Sequence, residues 1–157
     1  MKRLSRTRMI GTTFLAFLAQ VAPLPFFLAV IRPAFAVVAV IFWSLAAPQL
    51  GGIALGFITG LALDVYRGVV LGQHALATAL VAYFAIRQHL IIRNKSAFEQ
   101  AIFCAALILL WELTVWLIEG LTGQTSGHWT RWLPIISSAL LWPLLANQLV
   151  FETRARR

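Results

Sequence analysis

Four charged side chains stand where an apolar chain tolerates them least: Asp64, Arg67, Glu112 and Glu119. Asp64 closes an apolar run that begins at Gly52, and Arg67 follows three residues later. Spacing i, i+3 places the two on one helix face, within reach of an ion pair. A charge at mid-bilayer costs at least about 2.5–3.5 kcal/mol on insertion scales, and less near the interface. Two uses of Asp64 follow. It pairs with Arg67 at the interface and fixes the turn into the next segment, with Gly68 and Gly72 as the flexible corner, or it serves a ligand or a proton relay. Glu112 and Glu119 are seven residues apart on one helix face, Glu112 the deeper, between Trp111 and Trp116, and Glu119 interfacial. Such a pair suits a cation or exchangeable protons, and it equally suits internal polar contacts. Glu99 and Glu152 stand at segment ends and read as solvated.

Other reactive groups are sparse. Cys104 is the single cysteine and lies in an apolar run, which excludes a disulfide framework and a thiolate metal site. His74, His89 and His128 have no ligand-like spacing. No nucleophile–base pair or phosphate loop accompanies them. The sequence therefore assigns no catalytic residue, no cofactor and no metal.

Hydrophobic residues make up 61% of the chain and charged residues 11%, against roughly 25% charged in a soluble domain. So little charge cannot cover the surface of a soluble fold, so lipid must solvate much of it. The formal charge is +8, with the basic residues at segment ends. That placement reflects membrane orientation, and no aromatic-and-basic face for nucleic acid accompanies it.

The expected architecture is an all-α integral membrane protein, one polytopic domain over residues 1–157, with transmembrane helices at about 9–31, 33–47, 50–66, 69–92, 97–120 and 132–151. A basic start and Ala34-Phe35-Ala36 imitate a cleaved signal, but the first apolar run is longer than the roughly 7–15 residues of a signal core, so it reads as an uncleaved first helix. Pro23 and Pro25 kink or end that helix near its far side. The second and third segments are short for a bilayer core of about 30 Å. They need little tilt or shielding by neighbours, or else form a re-entrant hairpin. With the N-terminus inside and six crossings, the inner ends collect Lys2, Arg3, Arg6, Arg8, Arg87, Arg93, Lys95, Arg154, Arg156 and Arg157, and the outer ends only Arg32, Arg67 and Arg131. This is the positive-inside pattern with both termini in the cytoplasm. The hairpin leaves the same tally. The longest loop, residues 121–131, is turn-rich, with Thr125, Ser126 and Gly127, and is flanked by Trp129 and Trp132.

Small or special residues recur every fourth position at Gly52, Gly56, Gly60, Asp64, Gly68 and Gly72. On a 3.6-residue helix the first four form one slowly drifting stripe. Small-xxx-small stripes let helix backbones approach closely, either inside the protein or against a partner's transmembrane helix. In the last segment Pro143 kinks the helix after Trp142, and Asn147 and Gln148 are candidate interhelical hydrogen-bond donors.

Residues 56–87, GFITGLALDVYRGVVLGQHALATALVAYFAIR, resemble the signature region of the MreD family: a Gly-rich helix, then Asp, then Gly, then Leu-Gly-x-x-Ala-Leu. Arg32-Pro33, Arg93-Asn94 and Leu141-Trp142-Pro143 fit the same pattern, and Asp64, Gly68 and Gly72 fall on it. The likeness covers essentially the whole chain, and the polar stretch 122–131 is its one departure. It implies a bacterial cytoplasmic-membrane protein of the cell-elongation machinery. The implied partners are MreC, directly, and in the wider complex MreB filaments, the synthase RodA and its transpeptidase, with self-association possible and no nucleic acid. It also implies a fold similar to the S-components of energy-coupling-factor transporters, a fold analogy that does not fix function. A substrate-binding subunit of a vitamin-type transporter is the competing reading. It would line a cavity with Asp64, Gln73, His74 and Glu112.

Overall fold

The computed structural model describes residues 6–23, 25, 29–123 and 129–154, the last five by backbone alone. Expectations on Lys2, Arg3, Thr125, Ser126, Gly127, His128, Arg156 and Arg157, and on the side chains of Glu152 and Arg154, lie outside the described residues. Among the described residues the helices are α1 (Arg6–Val21), α2 (Phe35–Ala46), α3 (Gly52–Arg67), α4 (Gln73–Ile92), α5 (Ala97–Thr122) and α6 (Leu133–Arg154). A 3-10 turn, Trp129–Trp132, leads into α6.

Local chemistry sets most helix ends. α1 stops two residues before Pro23, earlier than the run to residue 31. A proline disfavours the helical conformation of the residue before it. α3 ends at Gly68, whose φ of 63° is left-handed, with the Val69 amide closing on the Asp64 carbonyl at 3.3 Å. Glycine adopts that conformation without a Cβ penalty. α5 starts in a capping box: the Glu99 amide donates to the Ser96 hydroxyl, and the Glu99 carboxylate accepts from the Ser96 amide. Glu99 is exposed there, beside Lys95 at 3.1 Å.

α2 is the centre of the bundle. Ten of its residues are buried, from Ala36 to Ala46, and it touches all five other helices. At 1.5 Å per residue its 12 residues measure only about 18 Å. A helix wrapped by protein on every side need not match the lipid thickness. Both of its ends are tied. The Ala34 amide donates to the Ser138 hydroxyl of α6 at 2.9 Å. Arg93, just past α4, donates to the Leu45 and Ala46 carbonyls at 2.6 and 2.7 Å, which are orphan acceptors at the helix C-terminus.

Helices α3 and α4 form the closest pair. A Cβ on Gly56 would lie 2.8 Å from the Thr78 carbonyl oxygen, and one on Gly60 would lie 2.5 Å from the Ala75 Cα. Gly60 thus faces the start of α4 and Gly56 faces one turn further along it, so the helices run antiparallel. The α2–α3 corner and the α3–α4 corner therefore lie at opposite ends of the bundle.

The outside of the bundle is apolar. On α5, Gln100, Ala101, Cys104, Leu107, Ile108, Trp111, Glu112 and Val115 form the buried stripe. Ile102, Leu109, Leu113, Trp116 and Leu117 are exposed on the opposite side. A helix apolar all round is enclosed by protein or lipid. Three helical spans are long and apolar enough to cross a membrane: Gln73–Ile92, Ala97–Thr122 and Trp129–Leu149. α6 continues through Pro143, and the buried Trp142 donates from its indole to Gln100 Oε1 at 3.3 Å. Asn147 and Gln148 do not become interhelical donors. Both are exposed and form no hydrogen bond among the described residues.

Candidate functional site

Gly72, with φ of 102°, opens α4, and the four amides at that helix start need acceptors. Gln73 finds one in the Val70 carbonyl at 3.2 Å. The other three donate to Asp64: Gly72 at 2.9 Å and Ala75 at 3.2 Å to Oδ2, and His74 at 2.8 Å to Oδ1. The carboxylate at the end of one helix is therefore the N-cap of the next. Asp64 is wholly buried. Three amides and the positive end of the α4 dipole compensate its charge.

The expected Asp64–Arg67 pair is absent. Asp64 turns instead to the His74 ring, with Nδ1 at 2.8 Å from Oδ1, and Arg67 reaches the other ring nitrogen, Nε2, at 3.1 Å. A guanidinium has no acceptor, so Nε2 accepts and Nδ1 carries the proton toward Asp64. A neutral imidazole satisfies both neighbours. The helix face put Arg67 near Asp64, but the α4 amides are the better partners for the carboxylate. Arg67 lies 5.9 Å from the centroid of the Trp111 ring, and His74 stands 5.4 Å from it, which carries the network to α5.

Glu112 and Glu119 come together through a cation that their spacing did not reveal. Arg131, from the 3-10 turn, places Nε 3.5 Å from Glu112 and one terminal nitrogen 2.8 Å from Glu119. Gln73 donates to the other Glu119 oxygen at 3.3 Å. One guanidinium thus joins two turns of α5 to the base of α6. Among the described residues no group of three or more His, Cys, Asp and Glu side chains could hold a metal ion. Replacing Arg131 with alanine leaves two carboxylates facing each other and is expected to cost about 3–5 kcal/mol. Glu112→Gln in that background recovers part of the loss. Melting temperature in detergent micelles checks both.

The Gly stripe divides in two. Gly56 and Gly60 take up internal packing against α4, whereas Gly52, Gly68 and Gly72 meet nothing within 4 Å and serve backbone turns with positive φ. Gln73, His74 and Arg131 complete the junction. One signal for it was legible, a glycine-bounded corner of few residues between an Asp and the next helix. The clamp by Arg131 had none, because it depends on where residues far apart in the chain meet.

The apolar exterior, the membrane-length helices and the polar groups spent on joining helix ends define an integral membrane protein. The family model described as rod shape-determining protein MreD matches residues 1–150. The Rod shape-determining protein MreD of Haemophilus influenzae is 32% identical over 129 residues, covering 82% of this chain and 80% of that protein. The chain belongs to the MreD family of rod shape-determining proteins. No solved structure matches it.

Proposed function

We propose that this protein is a non-enzymatic scaffold of the bacterial cell-elongation complex, one that binds MreC and couples MreB filaments to RodA and its transpeptidase. On this reading, residues 1–157 form one domain that crosses the cytoplasmic membrane six times, with both termini in the cytoplasm and an S-component-like fold. Family membership supports the setting. One observation carries the scaffold role: the carboxylates inside the bundle and their basic partners are engaged in joining helix ends. Asp64 caps α4, His74 links Asp64 to Arg67, and Arg131 holds Glu112 and Glu119. Groups bound in this way position helices. The ten basic residues assigned to the inner ends, of thirteen in all, support the orientation.

Capture of the tagged protein from native membranes in mild detergent, with partners identified by mass spectrometry, tests the proposal. Recovery of an MreC-like single-pass protein is the expected result. Recovery of a transporter's ATPase and coupling subunits would overturn it and favour the substrate-binding reading.

A further inference from the structure

A cavity of about 400 Å³ opens at the end of the bundle where α1 and α3 finish and α6 begins. Gln20 from α1, Ala22 just past it, Arg32 from the following connection, Tyr66 and Arg67 from α3, and Pro134 from α6 line it. Two arginines line this cavity, and among the described residues no carboxylate does. The acidic groups at this end are engaged elsewhere, Asp64 with α4 and Glu112 and Glu119 with Arg131.

The walls are held in place. Arg32 donates from both terminal nitrogens to the Gln20 and Ala22 carbonyls, and the Tyr66 hydroxyl donates to the Val21 carbonyl at 3.3 Å. Those bonds fix the Arg32 guanidinium but leave its Nε enclosed without a partner, as is Gln20 Oε1. Arg67 is exposed and gives one terminal nitrogen to His74. The cavity therefore presents the positive charge of Arg32 and the exposed N–H donors of Arg67. Its complement is an anion rich in oxygen. Arginine matches phosphate geometry well.

We propose that this cavity binds the phosphodiester headgroup of an anionic phospholipid such as phosphatidylglycerol. The surroundings favour lipid over a free anion. Val65, Tyr66, Val70 and Leu71 are exposed around the same corner, so an acyl chain entering beside the headgroup meets apolar surface. Basic pockets between membrane helices hold anionic headgroups on the cytoplasmic side, and this one offers the same charge at the end assigned to the outer face. The inference does not depend on the scaffold reading, because it rests on the lining of the cavity itself.

Native mass spectrometry of the purified full chain in detergent, with phosphatidylglycerol or phosphatidylcholine added, tests it. The expected result is about tenfold or greater preference for phosphatidylglycerol, lost in the Arg32→Gln, Arg67→Gln double variant, since each charge-assisted hydrogen bond is worth at least one decade in affinity. A photoactivatable phosphatidylglycerol crosslinked to the wild-type chain gives an independent readout should that variant fail to fold. Labels at residues 20–23, 29–32 or 66–67 support the site. Equal retention of both lipids, or labels only elsewhere, would overturn it. Displacement of the lipid by equimolar inorganic phosphate would overturn the lipid assignment in favour of a free anion.

Discussion

Asp64→Leu is expected to abolish the folded protein or to lower its melting temperature in detergent by more than about 10 °C, at roughly 2–4 °C per kcal/mol for a chain of this size. Three amides at the start of α4 lose their acceptor together with the His74 ring. Each buried donor left unsatisfied costs about 1–3 kcal/mol. Arg67 then stands beside a histidine with nothing to orient it. Asp64→Asn keeps two acceptor lone pairs and the shape, but it loses the charge that faces the helix dipole, so it falls between wild type and leucine. A fluorescence-monitored size-exclusion melting series orders the three. Equal stability of Asp64→Leu and wild type would mean that the α4 amides have other acceptors.

Gly60→Leu carries the second large effect. Any Cβ at this position overlaps the Thr78 hydroxyl and the backbone of His74 and Ala75. Backbone cannot give way as a flexible side chain can, so α3 and α4 must separate. Overpacking of a tight core costs about 1–3 kcal/mol per substitution, and more where backbone is displaced. Separation also pulls Asp64 from the amides that it caps, one turn away on the same helix. Gly56→Leu acts through the Thr78 carbonyl in the same way with a smaller effect, whereas Gly11→Ala, with nothing within 4 Å, should be silent. Yield of monodisperse protein and recovery of the proposed single-pass partner should fall together in that order. Full recovery with Gly60→Leu would show that the α3–α4 contact is dispensable.

Both effects meet at one corner, and the sequence announced only part of it. The apolar runs, bounded by Pro, Gly or charge, made six helices legible, and six are present among the described residues, three of them long and apolar enough to cross a membrane. Hydropathy runs on to residue 31, whereas α1 ends at Val21, just before Pro23, one of the two prolines expected to kink or end it. The Gly56–Gly60 stripe declared close packing but not its neighbour, because a stripe shows which face is small and says nothing about what lies against it. Asp64 was singled out from its cost in lipid. Its assigned partner was the nearest charge on its own helix, whereas the observed acceptor role depends on where the next helix begins. Local spacing finds i, i+3 pairs, and it does not find a cap supplied across a glycine corner. Arg131 and Arg93 illustrate the same limit. Both sit at segment ends, where they read as orientation signals, and both also bind across helices.

Removing the ionisable clamp without leaving a buried charge separates a scaffold from a protein that moves protons, cations or substrate. The decisive variant carries Glu112→Gln, Glu119→Gln and Arg131→Gln together and replaces the native copy in a rod-shaped bacterium. Cell shape is measured by microscopy alongside capture of the single-pass partner. The scaffold account predicts rods and undiminished partner capture, since amides can hydrogen-bond across the same positions. Round cells from a variant that still folds and still captures its partner would contradict it, because charge chemistry rather than helix positioning would then be what the cell requires.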